Sequence, residues 1–181
     1  MGFLKNFFVK RQIKASGFRE ERHSVPLASV RRCIVLLDVE DAESEACLKF
    51  AKTYFGGRGI ELKPFFLDMG KHAKDDIIKT AVKTTIPKRN LSIFGTLPEE
   101  MVAELQSEPA DLYLCLVDNS LPVTRCFNAI VPAPFCVGLK DYACSPFSMV
   151  FKGSEEEQIQ VNFHDSSKRL ESIVNYLEMV V

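Results

Sequence analysis

Apolar positions along this 181-residue chain fall into short unbroken runs that alternate with segments of helical period. Cys33 to Leu37 is one such run, ending in Asp38, as expected of a strand covered on both faces. The acids Glu40, Asp41, Glu43 and Glu45 follow, and then Ala46, Leu48, Phe50, Ala51 and Phe55 recur at helical spacing. Carboxylates suit a helix's first turn, and Gly56, Gly57 and Gly59 suit its end. Ile60 to Leu67 reads as a second strand, closed by Asp68. Strand, helix and strand in this order make a βαβ unit with a right-handed crossover.

Further along, Asp75 to Lys83 reads as a short helix stopped by Thr84, Thr85 and Pro87, and Leu91 to Phe94 as a third strand. Leu97 to Gln106 reads as a helix with Thr96 at its N-cap, Pro98 in its first turn and Glu99 three residues after the cap. Leu112 to Val117 is the clearest strand of all. Pro122 to Val131 predicts a helix, Phe135 to Leu139 a strand, and Met149 to Phe151 an edge strand. A last helix, capped by Asp165 or Ser166, carries Leu170, Ile173, Val174, Leu177 and Val180 on one face. This alternation predicts an α/β fold: a single three-layer Rossmann-like domain over residues 30–181 with a mostly parallel sheet.

Residues 1–25 differ from the rest. Phe3, Leu4, Phe7, Phe8 and Arg11 recur with helical spacing, and Lys5, Lys10, Lys14, Arg19 and Arg22 add positive charge opposed only by Glu20 and Glu21. Two readings of this basic amphipathic helix stand side by side. In one, Phe3, Leu4, Lys5, Phe7, Phe8, Lys10, Arg11 and Lys14 contact an anionic membrane surface. In the other, the phenylalanines pack on the domain and the lysines are solvated. Gly2 opens something near a myristoylation signal, but Asn6 stands where Ser or Thr is required.

Composition narrows the partners. A net charge of -1 provides no global field to draw in nucleic acid, so none is expected as a partner. The six cysteines show no CxxC spacing, and Cys33, Cys115 and Cys136 lie inside strand-like runs, which points to buried thiols in a reducing compartment. His23, His72 and His164 show no ligand spacing, so no metal site is expected. No apolar run approaches the ~18 residues that span a bilayer, and Lys5, Lys10, Arg11 and Lys14 interrupt any signal-peptide core. The expected address is the cytoplasm, with peripheral contact at the inner membrane face if the helix binds lipid.

The first strand-to-helix turn is where a dinucleotide-binding domain places glycines against a pyrophosphate. Here it reads Asp38-Val39-Glu40-Asp41-Ala42-Glu43, whose carboxylates repel phosphate. Neither NAD nor FAD is expected, and no phosphate-binding GxxxxGK[ST] loop occurs, so no cofactor is implied. The cluster Gly56-Gly57-Arg58-Gly59 reads as helix capping. Asp38, Asp68 and Asp118 each end a strand, so they either converge on a ligand or serve as ordinary strand-exit residues.

The turn Asp118-Asn119-Ser120 is the best candidate for a ligand site. Ser120 is placed to cap the following helix, whose free amides attract anions. Thr124 and Arg125 lie one turn in, and Arg125 offers a bidentate fork to phosphate or carboxylate. Gly138 and Lys140, leaving the next strand, line the same edge. The plain alternative is capping with Arg125 solvated. No histidine near Cys126 in sequence would activate it, and GxSxG is missing, so no catalytic set is complete.

The layout MGFLKNFFVKRQIK, CIVLLD, LSIFGTLPEE, ADLYLCLVDNSLPVTRCFNAIVPAPFCVGLK and ESIVNYLEMV resembles a family of small α/β proteins of unknown function from Bacteroidetes-type bacteria. That resemblance spans nearly the whole chain and implies no activity. Residues 110–140 alone are similar to the N-terminal domain of heptosyltransferase-type glycosyltransferases, with Ser120, Leu121, Arg125 and Gly138 in matching places. Those enzymes complete their nucleotide-sugar site with a second Rossmann domain, for which this chain has no room.

Three functions follow as expectations. The first is a non-catalytic binding or adaptor protein, held at a membrane surface by residues 1–22 or joined to a protein partner. The second is an enzyme or sensor for a phosphorylated or nucleotide-linked small molecule at the Asp118–Arg125 turn. The third is an intersubunit scaffold resting on the apolar end Leu177 to Val181.

Overall fold

The computed structural model describes residues 2–17, 21–70, 83–117, 121–142, 144–151 and 166–180. Its strands are β1 (Arg32–Asp38), β2 (Glu61–Asp68), β3 (Thr85–Pro87), β4 (Leu112–Cys115), β5 (Phe135–Gly138) and β6 (Met149–Val150). They form one six-stranded sheet in the order β3-β2-β1-β4-β5-β6, and every described pairing is parallel. This is the 3-2-1-4-5-6 order of a Rossmann-like domain. The sheet is thus fully parallel rather than mostly so.

Five helices flank it among the described residues: α1 (Gly2–Ser16), α2 (Ser44–Gly56), α3 (Glu99–Gln106), α4 (Pro122–Ile130) and α5 (Ser166–Val180). On one face Val9 of α1, Met101, Val102 and Leu105 of α3, and Val123, Cys126, Phe127 and Ile130 of α4 cover Ile34, Leu36, Phe65, Leu67 and Tyr113. On the other, Cys47, Ala51 and Phe55 of α2 join Leu170, Ile173, Val174 and Leu177 of α5 over Cys33, Val35, Leu37 and Leu114. Burial on both faces explains why β1 and β4 read as unbroken apolar runs.

Several expectations need correction. The third strand is Thr85–Pro87, not Leu91 to Phe94, which forms a turn. Helix α3 begins at Glu99 behind Pro98, and Thr96 does not cap it; the Thr96 hydroxyl is bonded to Ser92 Oγ at 2.6 Å instead. β4 ends at Cys115, although Leu116 and Val117 stay buried and the Leu116 N–H still donates to Leu36 O at 3.0 Å. The N-cap position of α4 is Leu121, with no side-chain cap, and Pro122 follows at its first position. The helix expected within 75–83, for all but Lys83, and Asp165 lie outside the described residues.

Arg22 departs from its expected surface role. Its guanidinium donates to the carbonyls of Asn128 at 3.2 Å, Ala129 at 3.4 Å and Val131 at 3.4 Å, and contacts Cys136 Sγ. A cation fits there because the last carbonyls of α4 carry the negative end of the helix dipole.

Candidate functional site

The switch point of this sheet lies between the carboxyl ends of β1 and β4, where ligands of open α/β sheets gather. On the β1 side the acidic turn proves largely self-occupied. Asp38 accepts from the Glu40 N–H at 3.0 Å. Burial, partly offset by that bond, raises its pKa above the ordinary carboxylate value, with Glu40, Asp41 and Asp68 adding repulsion. Asp41 is buried, accepts from the Glu43 N–H at 3.0 Å, and holds the Ser166 N–H at 3.3 Å. It therefore fastens the start of α5 to the β1–α2 turn.

Asp38 and Asp68 end neighbouring strands, with Asp38 in register with Leu67. Strand alternation sends Asp38 with Leu36 toward the α4 face and Asp68 with Phe66 toward the α2 face. They share an edge without sharing a face. Among the described residues no group of three or more His, Cys, Asp or Glu is placed to hold a metal.

On the β4 side, Asp118, Asn119 and Ser120 lie outside the described residues. Thr124 is fully buried, and Cys126 is buried with its thiol pushed up to about 12. Arg125 is exposed, its guanidinium carbon 5.0 Å from the centre of the Tyr142 ring. Tyr142 sits in the β5–β6 connection, two residues beyond the exposed Lys140. The Tyr142 hydroxyl accepts from Asn128 Nδ2 at 3.1 Å, while the Tyr113 hydroxyl donates to Asn128 Oδ1 at 2.5 Å. This buried relay anchors the loop to the core and carries no sequence signature. Gly138 lies beneath Phe147, whose ring fills the space a side chain would need.

Helix α1 forms the second candidate. Its inward face carries Val9, Gln12 and Ile13. Gln12 Nε2 donates to Leu97 O at 2.8 Å, and Gln12 Oε1 accepts from the Leu97 N–H at 2.9 Å and from Cys126 Sγ at 2.9 Å. Phe8 stacks on Phe94 with ring centres 3.9 Å apart. The opposite face is different. Phe3 is 84% exposed, Leu4 55% and Phe7 54%, and the exposed Lys10, Arg11 and Lys14 continue the same face in the next turns. Phe8 packs on the domain, Phe7 meets the Phe8 ring edge-on at 5.5 Å while staying exposed, and Phe3 is the most exposed of the three.

Fold and site together define a Rossmann-like domain with a basic helix docked on one of its helical layers. No protein-family model, no curated protein and no solved structure matches the chain. Among the described residues no helix is long and apolar enough to cross a membrane.

Proposed function

We propose that this chain is a non-catalytic binding or adaptor protein that attaches to an anionic lipid surface through the outer face of α1. The observation that carries this reading is the helix's division of labour. Val9, Gln12 and Ile13 already satisfy the domain, so Phe3, Leu4 and Phe7 are not core residues displaced by poor packing. Moving a large apolar side chain out of water is worth about 1.5–3 kcal/mol. Each nearby lysine or arginine adds about 1 kcal/mol at an anionic surface. Three apolar anchors and three cations support reversible attachment, well short of a membrane-spanning insertion.

Cosedimentation with phosphatidylcholine vesicles containing phosphatidylglycerol tests the reading. Phe3→Ser combined with Phe7→Ser should abolish pelleting at a melting temperature lowered only slightly, since Phe3 is exposed and Phe7 makes only an edge contact with Phe8. Equal pelleting of this variant and the parent chain would sink the reading.

A second reading rests on Arg125 over the Tyr142 ring, with Lys140 two residues before that tyrosine. It makes the chain a sensor or enzyme for a phosphorylated small molecule, in line with the glycosyltransferase-like stretch 110–140. A thermal-shift screen against sugar phosphates and nucleotide sugars addresses it. A ligand at a hundred times its dissociation constant adds about 2.7 kcal/mol, and the shift should vanish in Arg125→Ala.

A further inference from the structure

We infer that the turn at residues 92–96, with Ile93 at its tip and Lys88 and Arg89 at its base, is a second preformed contact with the same anionic bilayer. This rests on the docking reading of α1 and gives that surface a second apolar contact beside the helix. Ile93 is 82% exposed. Such exposure of a large aliphatic residue often marks a floppy loop, but this turn is braced throughout.

The Ser92 hydroxyl oxygen accepts from the N–H groups of Phe94 at 3.2 Å and Thr96 at 3.1 Å. The Gly95 N–H donates to Ser92 O at 2.8 Å, and the Ser92 N–H to Thr96 O at 3.3 Å. Gly95 takes φ +78°, a backbone conformation that suits glycine. Ile93 is therefore held outward by the backbone itself, and little ordering entropy remains to be lost on docking.

The turn is also joined to α1. Phe94 stacks on Phe8, which lies one helical turn beyond Leu4 on a flank of the exposed face, and Leu97 is gripped by Gln12. The two apolar prominences thus belong to one braced unit. Neither residues 2–17 nor residues 83–98 contain a single acidic residue, while Lys88 and Arg89 are exposed beside the turn. Apolar tips flanked by Lys10, Arg11, Lys88 and Arg89 complement an anionic headgroup layer over a hydrocarbon interior, with the exposed Glu99 and Glu100 opening α3 just beyond the turn.

The chain contains no tryptophan, so Ile93→Trp places a single indole emitter at the tip. With phosphatidylcholine–phosphatidylglycerol vesicles its emission should move to the blue and be quenched by brominated acyl chains. Phe3→Trp, as the α1 reporter, should behave alike. Ile93→Ser should weaken vesicle partitioning about tenfold, the equivalent of one lost apolar anchor, at an unchanged melting temperature. Quenching of the Phe3→Trp indole without quenching at Ile93→Trp would overturn the second contact and leave α1 docking intact. Vesicle-independent emission from both would overturn both.

Discussion

Single residues show how little freedom the sheet's carboxyl edge retains. Asp38 is held partly out of water beside other acids, so its charged form is disfavoured in the folded chain. For an acid with a raised folded pKa, the penalty is present above that pKa and disappears as pH falls through it. Asp38→Asn keeps an oxygen for the Glu40 N–H while removing the charge. It should raise the melting temperature at neutral pH, with the gain shrinking on acidification. A melting series across pH checks both the sign and the trend. Gly138 is the opposite case, a residue required for its lack of a side chain. A Cβ there would sit well inside contact distance of the Phe147 ring, which is itself packed edge-on against Tyr142 at 6.0 Å. Gly138→Ala should therefore cost about 1–3 kcal/mol in urea unfolding, the usual range for overpacking. A loss within a few tenths would mean that the ring swings aside freely. This glycine stood out in the sequence as a ligand-edge residue. What could not be read there was the ring, nine positions downstream in the chain, that occupies the edge.

At the scale of elements, β1, α2, β2, α4, β5 and α5 were legible because each is long or sharply punctuated. Continuous apolar runs, first-turn acids or proline, and closing glycines all agreed with the structure. β3 was not, since three residues cannot display a period, and Leu91 to Phe94 imitated strand alternation. The side chain of Ser92 decides that case, because its hydroxyl folds the backbone into a turn and takes Thr96 away from capping α3. Helix α1 was half legible. Its phenylalanines suggested a single apolar stripe, whereas the face that meets the core centres on Gln12, a residue that reads as surface. Its amide pairs with both backbone groups of Leu97, much as a neighbouring strand would. Gln12→Ala would strand those groups, and an unsatisfied buried pair costs about 1–3 kcal/mol. The variant should lose about 2 kcal/mol in denaturant unfolding. Limited proteolysis should also open the 17–31 connection sooner than in the parent chain. An unchanged digestion pattern would show that Val9 and Ile13 alone hold the helix.

On the scale of the whole molecule, the net charge of -1 conceals local clusters of each sign. Lys10, Arg11 and Lys14 cluster on the outer face of α1, and Glu40, Asp41, Glu43 and Glu45 gather at the β1–α2 turn, while α3, in the same layer as α1, carries the exposed Glu99 and Glu100. Arg22, counted with the basic segment by sequence, is spent on the carbonyls ending α4 and adds nothing to the outer surface. A bilayer approached from the α1 side meets cations and apolar rings first, so the small net charge does not prevent electrostatic attraction. That attraction acts over about 10 Å at 0.1 M salt and only about 3 Å at 1 M. Binding to phosphatidylglycerol-containing vesicles should thus fall steeply between those salt concentrations, leaving a weak residue from Phe3, Phe7 and Ile93 alone. Lys10→Glu with Arg11→Glu should reproduce the high-salt result at low salt without altering stability, since neither side chain is buried. Salt-independent pelleting would instead assign the exposed rings to an apolar partner, and the cations to solubility rather than recognition.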